Sequence, residues 1–211
     1  MALFDTIRAG ASGAVADYEI SRSLRFNNDD SAKLTRTPSS DSNRTTMTFS
    51  VWIKRGNLGE QVIFDARRDD SNRTRLQFDA GNRMQFFTRF QDNSHGIIIE
   101  GLQRDISAWY HLVWAIDTTQ STSSNRVKMY VNGVQQSFIS GSSQPDQNEA
   151  LFYNKDEEHG IGVGLDSAGD EALFDGCMAE LNFIDGQQLT PSSFAETDSV
   201  TGEYKPVEYT G

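Results

Sequence analysis

The sequence predicts an all-β fold, a two-sheet antiparallel jelly-roll sandwich, and three observations predict it. Residues 108–117, A-W-Y-H-L-V-W-A-I-D, are apolar at nearly every position. In an extended strand Trp109, Val113 and Ala115 share one face, while Tyr110, Leu112, Trp114 and Ile116 share the other. A strand that is apolar on both faces belongs inside a layered structure. Residues 127–134, V-K-M-Y-V-N-G-V, alternate strictly and end in Asn132-Gly133. That dipeptide is a strong hairpin signal, because a type I′ turn needs positive φ at both central residues. Finally, about eleven or twelve strand-like runs follow one another with turns at short spacing, and no helical pattern of three turns or more interrupts them.

In chain order, residues 1–17 stand apart. Leu3, Phe4 and Ile7 form one apolar stripe on a short helix, and G-A-S-G-A at 10–14 is a flexible linker. This segment is either a frayed tail or an assembly arm that docks on something else. Tyr18, Ile20, Leu24 and Phe26 alternate; Ala32 and Leu34 make a short strand ended by T-P-S-S at 37–40. Met47, Phe49, Val51 and Ile53 alternate cleanly, with Trp52 on the opposite face. After the turn at 56–59, residues 62–66, 76–80 and 84–90 are three further strands, the last two joined at Gly81-Asn82. Residues 97–100 lead into the strand that opens at Trp109. Past the hairpin come a polar loop at 140–148, a glycine-rich strand at 160–165 (G-I-G-V-G-L) and a last long strand at 174–184. Asp185-Gly186 turns it, and Thr190 with Pro191 caps a helical turn as N-cap and N1. The predicted organisation is an arm at 1–17, a sandwich at 18–196 and an extended tail at 197–211.

Composition narrows the function. The 211 residues carry a net charge of −11 with 36% hydrophobic residues, and 13 phenylalanines supply much of the core. An acidic surface opposes the counterion release that drives nucleic-acid binding and gives no basic patch for anionic lipid. The longest apolar run is far short of the about 18 residues of a membrane span, so no membrane insertion is expected. A single cysteine, Cys177, excludes an internal disulfide. The N-terminus M-A-L-F-D-T-I-R is too short and too acidic for a signal peptide, so the expected site of synthesis is a cytoplasm.

Four stretches occur in a telling order: T-F-S-V-W-I-K at 48–54, W-Y-H-L-V-W-A-I-D at 109–117, V-K-M-Y-V-N-G-V at 127–134, and F-D-G-C-M-A-E-L-N-F-I-D-G-Q-Q-L-T-P at 174–191. Together they resemble the laminin G-like, concanavalin A-like jelly-roll superfamily. S-L-R-F-N at 23–27, R-T-P-S-S at 36–40, F-I-D-G-Q-Q-L at 183–189 and T-G-E-Y-K-P at 201–206 look like a branch common in virion proteins of tailed phages with marine and cyanobacterial hosts. The resemblance spans residues 21–211. It implies a non-enzymatic bacteriophage virion structural protein, a surface-exposed capsid decoration or a tail or fibre component, made in the host cytoplasm and located in the virion. It also implies binding to host-surface polysaccharide and a homo-oligomer, expected to be a trimer, while the apolar stripe at Leu3, Phe4 and Ile7, outside the resemblance, is the expected contact with other virion proteins. A carbohydrate-active enzyme or a soluble lectin is the alternative on the same fold.

Glycoside hydrolysis needs two carboxylates about 5–9.5 Å apart, and related hydrolases of this fold place them on one strand as E-x-D-x-x-E or E-x-D-x-E. Neither string occurs. Asp170, Glu171 and Asp175 lie close in sequence, as do Asp156, Glu157 and Glu158, and both groups read as solvated acidic turns. No cofactor is required by any motif. Calcium is the one ion the resemblance suggests; Asn28, Asp29 and Asp30 are the best oxygen cluster, and the same residues equally suit a turn. One cysteine and three scattered histidines argue against a zinc site. Gly160, Gly162 and Gly164 lack the following helix of a dinucleotide fingerprint. A sugar platform needs aromatic faces with polar groups beside them. Trp52, Phe87 and Tyr130, with Arg89 and Asn93, are the candidates lying off the main core alternation, although large aromatics equally pack inside.

Overall fold

The computed structural model describes residues 18–211. The expected arm, with Leu3, Phe4 and Ile7, lies outside the described residues. The described chain is all-β, with helical structure confined to three-residue 3-10 turns at Asn28–Asp30, Ser123–Asn125 and Pro191–Ser193.

Two antiparallel six-stranded sheets form the sandwich. In sheet A, β1 (Leu24–Phe26) is followed in space by β12 (Gly176–Asp185), β3 (Thr46–Arg55), β8 (Tyr110–Asp117), β9 (Val127–Val131) and β10 (Val134–Gln135). In sheet B, β2 (Leu34–Arg36) is followed by β11 (Glu158–Ile161), β4 (Gln61–Asp69), β5 (Asn72–Phe78), β6 (Met84–Phe90) and β7 (Asn93–Ile98). The chain passes between the sheets in runs, β4 to β7 in sheet B and β8 to β10 in sheet A, and β1 pairs with β12 across most of the chain's length, Leu24 with Met178.

The central strand does what its composition demands. Leu112, Trp114 and Ile116 point into the core between the sheets, beside Phe49, Val51 and Ile53 of β3 and Phe64, Leu76, Phe78 and Phe86 of sheet B. Its other face carries His111, Val113 and Ala115, all buried as well. They are covered by a third layer, the hairpin of β13 (Ala195–Thr197) and β14 (Tyr204–Pro206). Phe194 and Tyr209 pack on Val113, Ala115 and Tyr130, while Ala195 and Tyr204 pack on Trp52 and Ala179. The tail expected at 197–211 is extended, but it contributes to this layer. Asn132 and Gly133 take φ of 48° and 78°, and the turn joins β9 to β10 with Val134 paired to Val131.

Several strand bounds differ from expectation: 62–66 extends to Gln61–Asp69, 76–80 shifts to Asn72–Phe78 and 97–100 to Asn93–Ile98. The glycine-rich strand stops at Ile161 instead of running to 165. Gly162 has φ +77°, and a Cβ there would meet the Phe26 ring at 2.5 Å, so the chain leaves the sheet where only glycine fits. The last long strand starts at Gly176, and it carries a bulge between Ala179 and Asn182, with Glu180 at φ 46°. β7, from Asn93, has no clean alternation in sequence. Its free edge is covered by residues 137–143: Ile139 N–H donates to Ile98 O at 2.9 Å and Ser143 N–H to Gly96 O at 2.9 Å.

Candidate functional site

The outer face of sheet A and the hairpin above it enclose a groove of about 590 Å³. Its lining is aromatic and charged: Tyr18, Trp52, Trp109 and Tyr204, with Arg22 and Lys205. Each part is positioned by a separate device. Trp52 leaves the core alternation of β3 and stacks on His111, its neighbour in β8, with centroids 4.9 Å apart and planes 20° apart. Tyr204 of β14 lies against both rings, at 5.8 Å from each. Its hydroxyl pairs with His111 Nδ1 at 2.8 Å, and His111 Nε2 pairs with Ser50 Oγ at 2.8 Å. Burial lowers the His111 pKa to about 4. Trp109 sits just before β8 and is 39% exposed, the accessible aromatic of the groove. Tyr18 is bonded to Glu180, the residue that the β12 bulge turns out of the sheet, and this hydrogen bond raises its pKa to about 12. The Trp52 Nε1 is enclosed and has no hydrogen-bond partner among the described residues.

The residues expected to form one sugar platform do not come together. Trp52 and Tyr130 are each 8% exposed, on the outer face of sheet A beneath the C-terminal layer. The tail that covers them had no pattern marking it as a packing partner. Phe87 and Arg89 lie on sheet B, Phe87 opposite Arg75 and Gly96, Arg89 opposite Arg73 and Ser94. Asn93 sits at the start of β7 and donates to Asp146 at 3.1 Å. Only Trp52 of the five lines the groove, joined by Trp109, Tyr18 and Tyr204. Trp109 was legible as an aromatic at a strand end; Tyr18 and Tyr204 become neighbours only through the fold.

The outer face of sheet B is occupied by ion pairs. Arg75 bonds Asp65 at 2.9 Å and Glu171 at 2.8 Å, and Arg67 and Arg73 donate to the carbonyl of Leu165 at 2.5 and 3.0 Å. The loop at 162–175 is thereby pinned across the sheet. Lys33 pairs with Asp170, and the Arg75 hydrogen bond holds the Glu171 carboxyl below its usual range. Asp170 and Glu171, the neighbouring carboxylates of the sequence, are thus ion-paired and do not stand as solvated turn residues. His159 takes Asn154 N–H on Nε2 at 3.0 Å and places Nδ1 2.8 Å from Glu157 O, a wholly structural histidine.

At the calcium candidates, Asn28, Asp29 and Asp30 form a 3-10 turn capped by Asn27. Asn27 Oδ1 accepts from Asp29 N–H at 3.3 Å and Asn27 Nδ2 donates to Asp30 at 2.6 Å. The turn carries no buried residue, and the cap engages Asn27 Oδ1 and one oxygen of Asp30. Calcium wants six to eight oxygens, and this exposed turn does not gather them. No helix among the described residues is long and apolar enough to cross a membrane.

Comparison with known proteins places this architecture. Domain 4 of AbnA, an extracellular GH43 arabinanase from Geobacillus stearothermophilus solved in complex with arabinotriose, superposes with a TM-score of 0.59 at 22% identity, over 84% of this chain and 76% of that one. Domains LG4-5 of the mouse laminin α1 chain give 0.56 at 14%, over 92% of this chain and 47% of that one. The native heptameric SAP-like pentraxin of Limulus polyphemus gives 0.53 at 14%, over 90% of both chains. No curated protein matches the sequence. A family model described as the concanavalin A-like lectin/glucanases superfamily matches residues 26–193, from β1 to the 3-10 turn that precedes the C-terminal layer. The chain belongs to the concanavalin A-like lectin/glucanases superfamily.

Proposed function

We propose that this protein is a non-enzymatic glycan-binding module carried on the surface of a phage particle. The groove carries the reading. An exposed indole, Trp109, lines the groove together with Trp52 and Tyr204, and Arg22 is the cation beside them for hydroxyl or carboxylate groups; Lys205 is held by Glu196 and Asp198. Apolar faces flanked by a few placed polar groups are the usual make-up of a small-ligand site. The arabinanase domain, solved with arabinotriose, supports the view that this type of sandwich serves sugar binding, and the position of its ligand is not carried over. The phage setting is supported by the short motifs at 23–27, 36–40, 183–189 and 201–206.

A role without catalysis is supported by the state of the carboxylates. Asp170 and Glu171 are ion-paired on the opposite sheet. Glu19 and Glu203 line the groove but are exposed, without the apolar enclosure that a catalytic acid uses.

The test is binding of the intact protein to host-surface polysaccharides and a glycan array, alongside Trp109→Ala. Trp109 lies outside the core clusters, so the variant should melt like the parent and bind at least about 10-fold more weakly, a loss expected when one stacking contact of about 1.4 kcal/mol or more goes. Unchanged binding by the variant would remove the groove from the function. Incubation with β-glucans, agar, alginate and host polysaccharide should release no reducing ends. Turnover that disappears in Glu203→Gln would make the alternative, a carbohydrate-active enzyme, the correct reading. Antibodies against the sandwich should label purified particles; unlabelled particles would leave a soluble lectin.

A further inference from the structure

A second polar cluster lies at the end of the sandwich that residues 151–153 plug. Leu151, Phe152 and Tyr153 are buried between the sheets, and the loop before them brings Asp146 and Glu149 against His95 of β7. His95 lies opposite Thr88, and Thr74 Oγ1, which contacts Thr88 Oγ1 at 3.1 Å, accepts from the Phe152 N–H at 2.9 Å.

We infer that His95, Asp146 and Glu149 form a binding site for a divalent transition-metal cation, of which zinc is the best fit; the scattered histidines argued against zinc in the sequence, but the fold brings two carboxylates to one of them. His95 Nε2 is 3.2 Å from a Glu149 oxygen and 3.9 Å from an Asp146 oxygen, and all three donor atoms lie within 4.8 Å of one another. Bonds of about 2.0–2.2 Å from zinc to nitrogen and oxygen place tetrahedral ligands roughly 3.4 Å apart, so the side chains need only small adjustments.

The second observation is independent of that spacing. Both ring nitrogens of His95 are enclosed and have no hydrogen-bond partner among the described residues, and its side chain is 11% exposed. A protein seldom encloses an imidazole with both nitrogens unpaired, because the lost hydration is not replaced. The Glu149 contact, at 3.2 Å, is not aligned as a hydrogen bond. A metal ion on Nε2 would satisfy that atom directly.

The carboxylates are held in place. Glu149 Oε2 accepts from the Asp146 backbone N–H at 2.8 Å, and Asp146 Oδ2 accepts from Asn93 Nδ2 at 3.1 Å. Two carboxylates and a neutral imidazole match the charge of a divalent cation. Glu149 is 11% exposed and Asp146 is 73% exposed, so the outer side is open for a water as fourth ligand. A nitrogen donor and few oxygens favour zinc over calcium. The bound ion would tie the loop at 144–149 to edge strand β7.

The experiment uses the full chain after treatment with a chelator. Calorimetric titration with zinc chloride should give one ion per chain and a melting midpoint raised by several degrees. Cobalt(II) should give d–d absorption of tetrahedral strength without a thiolate charge-transfer band. Asp146→Asn, at an exposed position, should keep the metal-free midpoint and weaken zinc at least about 10-fold. His95→Gln and Glu149→Gln should abolish the binding, and His159→Gln should leave it intact. Absence of zinc binding, stoichiometric binding that survives both Asp146→Asn and His95→Gln, or uptake of calcium in preference to zinc would overturn the assignment.

Discussion

His111 shows how one residue sets a pH response. It is fully buried, stacked on Trp52 and bonded to Ser50 and Tyr204. Burial lowers its pKa from 6.5 to about 4. Between those two values the unfolded chain binds the proton and the folded chain does not, so stability falls as pH drops from about 6.5 to about 4 and levels off below that. The shift corresponds to roughly 3 kcal/mol. His159, also lowered by burial, adds to the same slope. The expected result is a melting midpoint that falls steeply from pH 7 to pH 4 in the parent and less steeply in His111→Gln. Equal slopes would show that His111 is not the titrating group. Because Tyr204 is its partner, acid should loosen the C-terminal layer first.

At the scale of elements, the C-terminal hairpin decides what sheet A exposes. Without β13 and β14 the faces of Trp52, His111, Val113 and Tyr130 would meet water. The hairpin is closed by Asp198, whose carboxylate accepts from Val200 and Thr201 N–H groups at 2.8 Å each; these bonds hold its pKa well below the carboxylate range. Phe194, 3% exposed, is the anchor. Phe194→Ala should cost about 3–5 kcal/mol, as large aromatic truncations in cores do, measured by urea unfolding. Deleting residues 195–211 should leave the inter-sheet core folded and increase binding of a hydrophobic dye. A deletion that melts like the parent and binds no dye would mean the layer contributes nothing.

At the scale of the whole molecule, the question is how the module is held. The described residues begin at Tyr18, which lines the aromatic groove. An isolated helix as short as the Leu3, Phe4, Ile7 stripe is marginal in water, and its side chains gain about 1.5–3 kcal/mol each only when fully buried. We therefore expect the arm to join the module to its neighbours on the particle. A chain beginning at Tyr18 should melt close to full length, yet fail to enter particles and lose the expected trimer in sedimentation equilibrium. A shortened chain that melts much lower and still assembles would place the arm in the core instead.

Strand periodicity and one dipeptide determined the fold class. The two-faced strand at 110–117 had to be covered twice, and Asn132-Gly133 had to turn, because those requirements are local and period-two. What covers the second face was decided only in three dimensions: the tail at 195–209 has no pattern of its own and gains order by packing on sheet A. The same holds for the sites. Trp52 and Tyr130 were legible as residues off the core alternation, but alternation names a face without saying what lies over it. Phe87 and Arg89 share that pattern on the opposite sheet. The groove joins residues 18–23 to 203–206, and the His95 cluster joins a β7 residue to a loop about 50 positions later. Such meetings depend on which strands become neighbours, and that is fixed by the packing of both sheets at once.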